Sequence, residues 1–248
     1  MSDIDRISPT HRPNDRVVMR QEWRKLLFLH WAVPPADVQT LLPPGLTVDT
    51  FAGQAYVGLV PFTMRNVRPV GFPAVPGLSH FHECNVRTYV HRNGQPGVWF
   101  WSLDAAQPIA VEIARRVWRL PYFNAQMSLT EQDGEILYHT RRTHHDAPSG
   151  ECRVRYAPTG TPAPALPGTL THFLVERYLL YAQGKNGLLR GQVHHTSYPI
   201  QSATVSELAD TLVAATGLPV PGGVTRDNDM LTHYASGVSV EVFPMKQC

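Results

Sequence analysis

The sequence predicts an α+β fold that is mainly β, and three observations carry that reading. Apolar and polar residues alternate with a period of two through most of the chain, as in half-buried strands. Turn residues such as Asn93-Gly94 and Asp133-Gly134 punctuate these stretches. The 22 prolines scattered over 248 residues disfavour long uninterrupted helices.

The elements follow in order. Residues 1–20 are polar and without period, and are expected to form a flexible lead joined near Glu22 to one domain over 21–248. Leu26 to Val33 is apolar and long enough for a strand; Pro34 and Pro35 then open a short helix that stops at the Pro43 to Gly45 turn. Strands are predicted at 47–51 and 55–64, followed by a Pro/Gly-rich loop over 67–79. Phe81 to Val90 and Gly97 to Ala105 flank Asn93-Gly94 as a hairpin. Pro108 to Trp118 changes period: Ile109, Ile113 and Val117 recur every four residues, which predicts an amphipathic helix. A meander of strands resumes to about residue 158. Thr169 to Ala182 reads as the longest helix, ended by Gly184. Two strand-like pieces come next, and Thr204 with Glu207 has the spacing of a capping box that would open a helix ending at Gly217. A final strand is expected over 237–243.

Composition removes several function classes. Lys plus Arg number 22 against 20 Asp plus Glu, and a net charge of +2 gives no electrostatic footprint for nucleic acid or an acidic membrane. Only three of the basic residues are lysine: Lys25, Lys185 and Lys246. Three widely spaced cysteines with no CxxC pattern fit free thiols, and no apolar run has the roughly 20 residues of a membrane span. A cytoplasmic protein with no membrane partner is the expectation. No GxSxG, phosphate loop or dinucleotide fingerprint occurs, so serine hydrolase, nucleotide hydrolase and Rossmann readings lack support.

The strand Phe81 to Val90 concentrates the chemistry. Its alternation sends Glu83, Asn85, Arg87 and Tyr89 to one face and Cys84, Val86, Thr88 and Val90 to the other. An acid, an amide, a guanidinium and a phenol together can bind and protonate a small oxygenated molecule. The same pattern also fits an edge strand whose Glu83 and Arg87 pair in solvent, and on pattern alone that wet strand is the commoner case. His80, His82 and Cys84 form HxHxC, a set of soft zinc ligands, but a fraying strand end beside a small core cysteine accounts for them better. Arg141 and Arg142 fall on opposite strand faces, so at most one points inward; Arg141 is the candidate.

Leu103 to Ala125, with an Asp followed by PIA, an Arg-x-x-Trp helix end and an x-Pro turn, resembles the acetoacetate decarboxylase superfamily. The closer resemblance is to the uncharacterised YqjF-like proteins of that superfamily. It rests on FLHW at Phe28 to Trp31, LLPPGL at Leu41 to Leu46, NVRTYV at Asn85 to Val90, LPY at Leu120 to Tyr122 and FLVERYLLY at Phe173 to Tyr181. The resemblance implies a cone-shaped, mostly antiparallel β-barrel with a few peripheral helices and an internal cavity. It makes Glu83 an acidic pocket residue and gives His30 of FLHW a pocket role. Where the decarboxylases carry the lysine pair that forms the Schiff base, this chain has Tyr122 and Phe123, neither of them an amine.

The sequence therefore predicts a cavity for a small carboxylate or carbonyl ligand, without cofactor or metal. Glu83 and Tyr122 are the catalytic candidates, and Arg87, Asn85, Tyr89, His30 and Arg141 the substrate-binding ones. A lysine-independent lyase, hydratase or isomerase and a non-catalytic binding or sensor protein both fit, with a zinc enzyme on the HxHxC strand behind them. Oligomeric state is left open.

Overall fold

The computed structural model describes residues 4–218, 220, 225 and 229–248. Thirteen strands make one sheet: β1 (Met19–Val33), β2 (Thr47–Val48), β3 (Ala55–Pro69), β4 (Phe81–Arg92), β5 (Gln95–Ala105), β6 (Tyr122–Gln132), β7 (Glu135–Arg142), β8 (Glu151–Ala163), β9 (Leu179–Gly184), β10 (Gly187–His194), β11 (Ile200–Asp210), β12 (Leu231–Val242) and β13 (Lys246–Gln247). The helices are short: α1 (Pro35–Gln39), α2 (Pro108–Ile113), which runs into a π-helical turn at Ala114–Trp118, and α3 (Leu170–Val175). The mainly β expectation holds.

Neighbours in the sheet run β13-β10-β9-β5-β6-β7-β8-β11-β12-β1-β3-β4-β2, with β4 also pairing β5 and β10 also pairing β12. The β4–β5 pairing joins the two halves of this order, so a path from β5 through β8, β12, β1 and β4 returns to β5. Pairing is antiparallel except where β5 meets β6 and β9. The predicted hairpins form where the turn residues sit: Asn93-Gly94 and Asp133-Gly134 both adopt positive φ, as a tight primed turn requires.

Two elements differ from expectation. The Thr169 to Ala182 helix stops at Val175, because Glu176 leaves the helical region and Leu179–Gly184 pairs as β9 with β10 and β5. The capping box at Thr204 and Glu207 does not cap a helix. Both residues lie in β11, where Glu207 bonds Arg153 across the ladder to β8, and only a short turn of 3-10 helix at Ala214–Thr216 remains. The polar lead runs along the body: Arg6 pairs with Asp49, Arg12 with Glu241 and Asp15 with Lys246.

Apolar residues pack on both sides of the sheet. Leu27, Leu29 and Trp31 of β1 join one cluster with Cys84 and Val86 of β4; Leu26 and Phe28 join another with Tyr89. β4 lies between β3 and β5 and is buried from Glu83 to Val90, so neither of its faces is wet. That geometry removes the solvent-facing edge-strand alternative.

Candidate functional site

A cavity of about 270 Å³ opens beside β4, lined mostly by apolar side chains, with Glu83, Asn85, Arg87 and Tyr122 among its polar ones. The alternation of β4 delivers the first three. Tyr122 arrives from the start of β6, which lies parallel to β5 with Tyr122 opposite Leu103. Arg119 in the left-handed region turns the chain there, and the Leu103 N–H donates to the Pro121 carbonyl at 3.0 Å.

The Tyr122 hydroxyl donates to Glu83 Oε2 at 2.9 Å. Burial pushes the Glu83 carboxyl up to about 8; the Tyr122 bond opposes that shift and the nearby Asp104 adds to it. At neutral pH Glu83 therefore holds its proton. The Tyr122 hydroxyl is also pushed up, by burial first and then by Glu83. The pair is a proton store inside an apolar cavity, a suitable arrangement for a general acid.

Arg87 lies opposite Gly58 of β3. A Cβ on Gly58 would come within 3.1 Å of the His30 ring and 3.4 Å of Arg87 Cγ, so the glycine makes room for both. Arg87 Nη2 donates to the Leu174 carbonyl at 3.1 Å and to the Tyr89 hydroxyl at 3.4 Å, its guanidinium lies 5.5 Å from the Phe28 ring centroid, and its buried Nε has no partner. Other buried arginines are neutralised: Arg142 grips Asp104 with two bonds of 2.7 and 2.8 Å, and Arg177 meets Asp49 at 2.7 Å. Among the described residues no carboxylate pairs with Arg87. A buried, uncompensated guanidinium is a site for an anion.

Three expected site residues stand elsewhere. Tyr89 and His30 form a buried support behind Arg87. The Tyr89 hydroxyl donates its one hydrogen to the Leu174 carbonyl at 2.7 Å, so His30 Nε2, 2.6 Å away, is the donor to Tyr89. Burial, with Arg87 and His233 nearby, holds the His30 imidazole well below its usual range and hence neutral. Arg141 is exposed and donates to Gln126; the inward arginine of that strand is Arg142. The HxHxC residues do not converge: His82 bonds Thr63, His80 accepts from the Asn66 N–H, and Cys84 lies in the core. Among the described residues no group of three His, Cys, Asp or Glu side chains is placed to hold a metal.

The cavity also has residues outside the site set expected from the sequence. Tyr198 and Tyr178 line it, and the His195 ring lies 4.5 Å from each of theirs. The Tyr198 hydroxyl makes no hydrogen bond to described residues, while Glu176 accepts from the Tyr198 N–H and the Tyr178 hydroxyl. Glu176 is thus structural, holding the two tyrosines in place. Burial lowers His195 to about 4. The signal was faint because 195–199 is irregular backbone, where strand alternation does not apply.

At the turn where the resemblance places the decarboxylase lysines, the Arg142 guanidinium lies 4.2 Å from the Phe123 ring centroid, and Tyr122 faces Glu83. Among the described residues no lysine lines the cavity. Lys25 pairs with Glu131, Lys246 pairs with Asp15, and Lys185 is exposed in the β9–β10 turn.

This architecture is that of the acetoacetate decarboxylase-like proteins. An acetoacetate decarboxylase-like enzyme from Sphingomonas wittichii RW1 superposes with a TM-score of 0.61 at 12% identity, over 94% of each chain. The enduracididine biosynthesis enzyme MppR complexed with pyruvate gives 0.58 at 13% identity, over 97% of this chain and 92% of that one. At such identities the likeness is one of fold. Residues 20–239 match the model of DUF2071, an uncharacterised conserved protein, and the chain belongs to that family. It is 34% identical to the uncharacterised protein YqjF of Bacillus subtilis (strain 168) over 235 residues, 95% of this chain and 94% of that one.

Proposed function

We propose that this protein binds a carboxylate or carbonyl compound inside a cone-shaped barrel and transfers a proton on it without a Schiff base. The observation that carries the reading is the Glu83–Tyr122 pair, protonated at neutral pH, in the same cavity as an Arg87 that has no carboxylate partner. Arg87 holds the anionic group, and Glu83 acts as acid and then base next to a carbonyl, the step shared by isomerisation, hydration and aldol-type cleavage. The return of the strand path to β5 supports the barrel, and MppR complexed with pyruvate supports an oxo acid as the kind of ligand. Free, mostly buried thiols are in keeping with a cytoplasmic setting.

The test incubates the purified wild type, Glu83→Gln and Tyr122→Phe with a small-metabolite extract and follows gains and losses by mass spectrometry. Turnover by the wild type that falls at least 100-fold in Glu83→Gln, with the variant still retaining the compound, supports an acid/base enzyme. Retention without turnover by any form leaves a binding protein in place of the enzyme.

A further inference from the structure

Arg87 and Glu83 sit four residues apart on one strand, so their backbones are about 13 Å apart. The guanidinium lengthens this distance, because Nη2 reaches Tyr89 and Leu174, on the side away from Glu83. A three-carbon acid held by Arg87 cannot touch Glu83. Between them the lining is apolar: Phe28, Val60, Phe62 and Phe100, with Asn85 the polar exception on β4. The volume of about 270 Å³ is many times the roughly 10–15 Å³ of such space that one water-sized group needs. An extended chain advances about 1.2 Å per bond, judging by three backbone bonds per ~3.5 Å, so ~13 Å needs on the order of ten bonds. The length thus sets the size of the ligand, and the volume has room for it. Ile113 and Ala114 also line the cavity, and Ile109 and Val117 beside them are 58% and 63% exposed, so an apolar surface adjoins it.

We infer that the ligand is an unbranched, mostly apolar monocarboxylate of about eight to ten carbons, its carboxylate on Arg87 and an oxo or hydroxyl oxygen at its far end on Glu83 and Tyr122. This rests on the reading of Arg87 as an anion anchor. It sets the chain apart from a pocket fitted to pyruvate, since the binding energy would come from methylenes along β3 and β4.

Isothermal titration of the full chain at pH 7 tests it, with pyruvate, the even n-alkanoates from acetate to tetradecanoate, 8-hydroxyoctanoate and 1-octanol as probes. Affinity is expected to rise about fourfold per methylene up to octanoate or decanoate and to fall at tetradecanoate. 8-Hydroxyoctanoate should bind several-fold tighter than octanoate to the wild type and by a smaller margin to Tyr122→Phe, which leaves Glu83 alone to meet the hydroxyl. Pyruvate or butanoate binding as tightly as octanoate overturns the length inference and leaves the anion anchor standing. Octanoate and 8-hydroxyoctanoate binding equally overturns the far-end contact. Octanoate binding no tighter than 1-octanol, or no alkanoate binding at all, overturns the anchor and the inference together. That comparison uses the wild type, so it stands even where Arg87→Gln fails to fold; a folded Arg87→Gln is expected to lose at least tenfold for octanoate and nothing for 1-octanol.

Discussion

Glu83 is protonated in the folded chain up to a pH of about 8, whereas the unfolded carboxyl loses its proton near 4.5. Between these values the folded state binds more protons than the unfolded one, so stability falls as pH rises through that window. Glu83→Gln keeps the oxygen that accepts from Tyr122 and removes the titration. Its melting temperature should match the wild type near pH 4.5 and exceed it increasingly up to pH 9, with a ceiling on the order of 5 kcal/mol. A constant difference across that range would place Glu83 in contact with water. The β4 residues were legible because strand alternation is a local rule and β4 is regular from Phe81 to Arg92. Arg141 and Arg142 show where that rule stops. Alternation says they face opposite ways, but only the pairing of β6 and β7, together with the distant Asp104, decides which of them points inward.

Elements were legible where turn chemistry bounded them and misread where a sequence suits two states. Leu179–Gly184 carries helix-forming residues, yet its backbone is taken by β10 on one side and β5 on the other. β11 keeps its strand form because its backbone pairs with β8 along most of its length and with β12 at its start, which outweighs a capping box worth about 1 kcal/mol. Glycine at 237 is required by an equally distant partner. It lies in β12 at φ +146°, and a Cβ there would sit 2.3 Å from the Trp23 carbonyl oxygen on β1. Gly53, at φ +80° with open space around it, supplies the control. Gly53→Ala should cost about 1–2 kcal/mol from backbone strain, and Gly237→Ala clearly more, measured by urea unfolding. Equal losses would mean that the β1–β12 ladder yields at Trp23.

At the scale of the whole molecule, the three lysines and the cavity are separated: Lys25 and Lys246 are held in surface ion pairs, and Lys185 lies in an exposed turn. Treatment with pyruvate and borohydride is therefore expected to leave no saturable one-to-one adduct, as read by intact mass; a stoichiometric lysine adduct would restore Schiff-base chemistry. The absence of an amine was legible in the sequence at Tyr122 and Phe123, but the aromatic stacking of Phe123 under Arg142 depends on β5, β6 and β7 meeting in space. The path of strands that returns to β5 has one more effect. Unpaired sheet edges are where folded chains recruit one another into aggregates, and here the strands at the two ends of the order, β2 and β13, are only two residues long. The order therefore ends on strands too short to template cross-chain growth, and the exposed apolar ridge of Ile109, Ile113 and Val117 is a contact surface of another kind, set by side chains and not by backbone pairing.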